Sequence, residues 1–83
     1  MQADIAYSES AFKHGVTEDD IGNAFDTLLY DEAGVYDDSK FLAIGFDLSQ
    51  NLIEIIYSIM DDGSICVFHV MKCRTEYLKY IER

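Results

Sequence analysis

Four side chains of this 83-residue chain could together perform RNA cleavage without a metal: His69, Lys72, Arg74 and Lys13. That reaction needs a base for the ribose 2′-hydroxyl, an acid for the leaving oxygen and a cation for the phosphate. Each residue also has a plainer reading. His69 falls on the same alternating face of a predicted strand as Ile65, Val67 and Met71, which makes it a core-directed, hydrogen-bonded histidine. Lys72 and Arg74 close that strand and open the following helix, either as solvated charge or as a phosphate-contacting pair. His14 sits beside a helix end, where an imidazole meets backbone carbonyls.

The acidic side chains offer little chemistry of their own. Glu18, Asp19 and Asp20 form the first turn of a helix, where the helix dipole favours anions. Asp37-Asp38 and Asp61-Asp62 occupy loops or turns, where aspartate is common. The twelve-residue alternation of a calcium loop is missing. So are a glycine-rich phosphate loop, a nucleophile elbow and His/Cys metal spacing. Neither a metal site nor a cofactor is expected. Cys66 and Cys73 are seven residues apart, roughly 23 Å along an extended strand, so they read as reduced thiols.

Six basic residues stand against sixteen acidic ones, a net charge of −10. Non-specific attachment to nucleic-acid backbones is therefore disfavoured. The charge is uneven: residues 1–71 contain two lysines and fourteen acids, whereas residues 72–83 carry a net +2 from Lys72, Arg74, Lys79 and Arg83. An acidic body could also attract a basic protein partner, with tyrosines such as Tyr7, Tyr30, Tyr36 and Tyr57 as anchors. The apolar fraction of 49% argues for a folded chain. The length fits one domain, residues 1–83. No apolar run reaches the roughly 20 residues of a membrane span. The start of the chain lacks a signal-peptide pattern. The expected location is cytoplasmic.

These residues need elements to position them. Ser8–His14 forms one or two helical turns ended by Gly15. Thr17 caps a helix over Glu18–Tyr30, whose buried face is Ile21, Ala24, Phe25, Leu28 and Leu29. Asp31–Ser39 reads as a polar loop. Strands follow at Lys40–Phe46, Leu52–Met60 and Ile65–Met71, the last two joined by the hairpin turn Asp61-Asp62-Gly63-Ser64. A short helix from about Arg74 places Tyr77, Leu78 and Ile81 on one side. The predicted class is α+β: N-terminal helices, a three- to four-stranded antiparallel meander and a short C-terminal helix. Its strand edges allow a homodimer.

Three segments, taken in order, resemble the BrnT-like toxins of bacteria, and more closely a little-characterised branch of them. They are Phe12-Lys13-His14-Gly15-Val16-Thr17, Lys40-Phe41-Leu42-Ala43-Ile44-Gly45, and His69-Val70-Met71-Lys72-Cys73-Arg74 after Asp62-Gly63. The resemblance spans roughly residues 10–80. It implies a fold related to the RelE-type ribonucleases, RNA cleavage that stops translation, and an antitoxin that covers the active surface. On this match Lys13, Lys40 and Lys72 fall on recurrent basic positions, with Arg74 just beyond. Lys40 and Lys72 stand where arginine is common, and lysine supplies a compact charge in place of arginine's two-pronged grip.

The functional expectation is a toxin component acting as a metal-independent endoribonuclease. His69, Lys72 and Arg74 are its catalytic residues, and Lys13 and Lys40 bind RNA. The alternative is a non-catalytic acidic protein that binds a basic or nucleic-acid-binding partner.

Overall fold

The computed structural model describes residues 4–35 and 37–82. Tyr36, one of the anchor tyrosines, and Arg83, part of the basic end, lie outside the described residues. The chain runs β1 (Ile5–Tyr7), a 3₁₀ helix (Glu9–Phe12), α1 (Glu18–Asp26), β2 (Tyr30–Ala33), β3 (Phe41–Phe46), β4 (Leu52–Ile59), β5 (Ile65–Lys72) and a second 3₁₀ helix (Thr75–Tyr80). The α+β class is as expected. The five strands form one sheet in the order β1-β5-β4-β3-β2. β2 to β5 are the antiparallel meander, and β1 adds to its far edge, parallel to β5.

The sheet is covered unequally. On one face α1 and the first 3₁₀ helix bury Ala11, Ile21 and Ala24 against Ala43, Ile55, Val67 and Val70. On the other face Leu42, Ile44 and Ile56 lie beneath Tyr30, Tyr77, Tyr80 and Ile81, so the second 3₁₀ helix covers only part of it. β3 and β4 have covers on both faces and are buried along most of their length. This explains the near-continuous apolar runs that mark them as central strands.

Three boundaries differ from the sequence reading. First, α1 stops at Asp26 and does not reach Tyr30. The Thr27 hydroxyl donates to the Asn23 carbonyl at 2.8 Å and accepts the Phe46 amide at 3.0 Å, while the Leu29 amide joins the Ile44 carbonyl. The backbone is thus diverted from helix to sheet, and Leu28 and Leu29 are left exposed. Second, the expected polar loop contains strand β2. It is exposed at three of its four positions, so it carries no alternating pattern to read. Asp31 in this strand accepts a 2.6 Å hydrogen bond from the buried Tyr57 hydroxyl, and burial with that bond keeps the phenol protonated well above its ordinary range. Third, both ends expected to be ordinary helix are 3₁₀.

The β5 register corrects the expectation for His69. Val67 pairs with Tyr57 and His69 with Ile56, so Phe68 is an extra residue in a β-bulge. The bulge interrupts the alternation. Val67 and Val70 both face α1, although three residues separate them. His69 and Met71 are turned to the opposite, less covered face. His69 is therefore not a core histidine beside Val67.

Two local features hold the helix on the sheet. Thr17 and Asp20 form a reciprocal cap, with the Asp20 amide donating to Thr17 Oγ1 and the Thr17 amide to Asp20 Oδ2. Asp20 Oδ1 also accepts the Leu48 amide of the β3–β4 loop at 3.0 Å. The second feature is Gly45, whose missing side chain lets the sheet approach the Ala24 backbone. A Cβ there would collide with the Ala24 carbonyl oxygen and sit 2.9 Å from its Cα.

Gly45→Ala should destabilise the fold by at least about 2 kcal/mol, because helix backbone would have to move. An unchanged urea midpoint would refute the close approach. The hydrogen bonds from Leu48 and Thr17 hold the Asp20 carboxyl below the usual carboxylate range. A depressed folded pKa means stability that is present above the unfolded value of 3.8 and lost as pH falls through the folded one. Asp20→Ala should thus cost about 1–2 kcal/mol at pH 6, with the gap between wild type and variant closing as pH falls through the carboxyl's lowered folded pKa in pH-dependent denaturation.

Candidate functional site

Glu54 is the one charged residue in the β4 core, between Ile53 and Ile55, and it is 0% exposed. Its carboxylate is surrounded by donors. Oε1 accepts the Arg74 amide at 2.9 Å and Arg74 Nε at 3.2 Å. Oε2 accepts Arg74 Nη2 at 2.7 Å, Arg74 Nε at 3.1 Å and His69 Nε2 at 3.0 Å. Arginine's planar fork suits such a two-pronged grip. The pairing holds the guanidinium above its already high ordinary pKa, so its charge is permanent. The Arg74 guanidinium also lies 5.0 Å from the centre of the Tyr77 ring. It is thereby fixed between the glutamate and the C-terminal 3₁₀ helix.

The bulge carries the second half of the geometry. The extra residue leaves the Phe68 carbonyl outside the ladder, and Ser10 Oγ donates to it at 2.6 Å. The Ser8 amide donates to the Val67 carbonyl at 2.9 Å. These bonds hold the first 3₁₀ helix over the edge of β5. The residues after that helix, Lys13 and His14, therefore come round to His69. The His14 and His69 rings meet edge to face with centroids 5.7 Å apart. From the other side, Lys40 at the head of β3 brings its ammonium 5.2 Å from the centre of the Phe68 ring.

The result is a cavity of about 510 Å³ lined by Ser10, Lys13, His14, Lys40, Ile56, Phe68, His69, Met71 and Arg74. No aspartate or glutamate is among the described residues that line it. Glu54, beneath it, is neutralised by Arg74. The lysines Lys13 and Lys40 thus set the sign of the cavity, in a molecule whose net charge is −10.

Four of the five residues singled out from the sequence, Lys13, Lys40, His69 and Arg74, line this cavity. Lys72 lines a neighbouring one of about 260 Å³ with Val16, Asp20, Asp47 and Ile53, and His14 borders both. Lys72 follows Met71 directly and pairs with Ile53, so its side chain points to the α1 face. Arg74 is in the cavity, but its charge is already matched by Glu54. Glu54 lies outside the set that the sequence singles out, although a lone carboxylate in an otherwise apolar central strand is a signal of a buried pairing. His14 carries both a helix-end and a functional reading in the sequence, and the fold brings it to His69. Burial first, then Glu54, raises the Cys73 thiol pKa, which disfavours the reactive thiolate. Cys66 and Cys73 are both free, as expected. Among the described residues no group of three or more His, Cys, Asp or Glu could hold a metal ion. No helix among them is long and apolar enough to cross a membrane.

Comparison with protein-family models, curated proteins and solved structures gives no match. The likeness to BrnT-like toxins therefore rests on the three sequence segments alone.

The Glu54–Arg74 pair makes an asymmetric prediction. Glu54 is wholly buried, whereas the Arg74 side chain is 38% exposed and that of His69 is 29% exposed. Arg74→Met leaves a buried carboxylate short of donors and should cost about 3–5 kcal/mol. Glu54→Met leaves only cations that can turn to water and should cost less than half as much. Equal urea midpoints for the two variants would show that the carboxylate is not the stressed partner.

Proposed function

We propose that this protein is an endoribonuclease of BrnT-like type, the toxin half of a toxin–antitoxin pair acting in the cytoplasm, and that its reaction centre is the Lys13–Lys40–His69 cavity. One observation carries the reading: two lysines and two imidazoles share a cavity free of described carboxylates on an otherwise acidic molecule. A phosphodiester supplies the anion such a cavity lacks. Unpaired bases and backbone can bend into it, whereas a duplex would bring further phosphates against the surrounding acids.

In this reading one of the pair His14 and His69 takes the proton from the ribose 2′-hydroxyl. The freed oxygen attacks phosphorus, and the bond from phosphorus to the 5′-oxygen breaks. The other histidine, protonated, gives its proton to that leaving oxygen. The products are a 2′,3′-cyclic phosphate and a new 5′-hydroxyl. Lys13 and Lys40 balance the charge that builds on the phosphoryl oxygens. Arg74 and Glu54 hold His69 in place, and Lys72 takes no part in the reaction. An antitoxin suited to this surface would present carboxylates to the lysines.

The test uses purified protein, unstructured RNA and excess chelator. Wild type should cut and leave a cyclic phosphate end, and a strand lacking the 2′-hydroxyl at the cut site should survive. His69→Ala should slow cleavage about 10²- to 10⁴-fold, and Lys13→Ala with Lys40→Ala should weaken binding and flatten its salt dependence. Intact RNA beside folded wild type would remove the ribonuclease reading. A salt-sensitive complex with a basic protein, in the same preparation, would then favour the non-catalytic acidic module.

A further inference from the structure

The cationic cavity does not end at Phe68. That ring also lines a second, broader cavity of about 710 Å³, formed with Ser39, Ser58, Ile59, Met60, Asp61, Asp62 and Ser64 at the β4–β5 hairpin. Phe68, the bulge residue of β5, is their common wall. Their chemistry is opposite. One end has lysines and imidazoles. The other has exposed apolar surface, with Ile59 54% and Met60 46% exposed, beside two aspartates. Asp62 Oδ1 is taken by the Ser64 amide and hydroxyl at the turn, whereas Asp61 has no hydrogen-bond partner among the described residues.

A ligand filling both must be anionic at one end, and planar, apolar and donor-bearing at the other. A phosphate cannot sit at the aspartate end, where it would be repelled. We infer that the hairpin cavity is a nucleobase subsite: it takes the amino-bearing base of a nucleotide whose phosphate lies between Lys13 and Lys40, with Phe68 as the stacking surface. This deepens the ribonuclease reading and rests on it for the phosphate end. Aromatic stacking accepts any base, while the exocyclic amino group of adenine, cytosine or guanine can donate to Asp61. Uracil has no amino group to offer. The Lys40 ammonium, now on the Phe68 ring, is the cation that an adjoining phosphate would draw, so the two ends of the ligand act on the same residues.

The experiment is an amide chemical-shift titration of the full chain with inorganic phosphate, adenosine, adenosine 5′-monophosphate and uridine 5′-monophosphate. The adenine nucleotide should bind about tenfold or more tightly than phosphate, as one stacked base predicts. It should shift residues 58–64 as well as residues near Lys13 and His69. Uridine monophosphate should bind more weakly. Phe68→Ala should weaken the adenine nucleotide, and Met60→Ala, at a half-exposed position outside the cationic cavity, should bring it towards the affinity of phosphate with phosphate binding unchanged. If the adenine nucleotide is no tighter than phosphate, or leaves residues 58–64 unmoved, the subsite is refuted while the phosphate site stands. If adenosine moves residues 58–64 and phosphate moves nothing, the subsite stands and the ribonuclease reading falls. Equal affinity for the two nucleotides refutes the amino-group preference, and no binding of any probe refutes the whole proposal.

Discussion

A carboxylate buried in the middle of a β-sheet is the constraint around which this molecule is arranged. Water cannot reach Glu54, so its charge must be met by protein donors. Arg74 supplies three nitrogens, one from the backbone, and His69 supplies a fourth. The carboxylate thereby sets where β5 ends, since the Arg74 amide is bound to β4 and not continuing a ladder. It also sets where the C-terminal 3₁₀ helix begins, and which way the histidine points. A pairing of this kind adds little net stability over an apolar core of the same shape. Its contribution is geometric: it fixes an imidazole and a guanidinium on one side of a thin sheet.

The bulge at Phe68 works with that clamp. Without the extra residue, His69 would share a face with Val67 and be enclosed under α1. With it, Val67 and Val70 both remain in the core, and His69 reaches Glu54 on the other face. The same irregularity releases a carbonyl that Ser10 binds, and so brings the N-terminal segment with Lys13 and His14 across the sheet edge. Bulges commonly re-aim side chains at functional positions. Here one residue's insertion does this for the strand and for its neighbour.

Charge distribution follows from the same arrangement. Five of the acids serve caps, turns and an edge strand: Asp20 on α1, Asp37, Asp47 and Asp62 on turns, Asp31 on β2. Lys13 and Lys40, more than twenty positions apart in the chain, are brought to one cavity.

The sequence by itself determined the α+β class, the three central strands, the capped helix start and the Asp-Gly hairpin, because each depends on local pattern: apolar alternation, a capping residue, a turn that tolerates positive φ at Gly63. It also singled out Lys13, His69, Lys72 and Arg74 as scarce groups able to carry a proton or meet a phosphate, with Lys40 added only by the resemblance; the fold brings all of them but Lys72 to one cavity. Strand β1 was illegible because three residues carry too little pattern, and β2 because an exposed edge strand does not need to alternate. The face of His69, the union of His14 with it, the separation of Lys72 from the others and the burial of Glu54 were decided only by tertiary structure. All four turn on a single-residue register shift and on long-range pairing, and neither leaves a periodic trace along the chain.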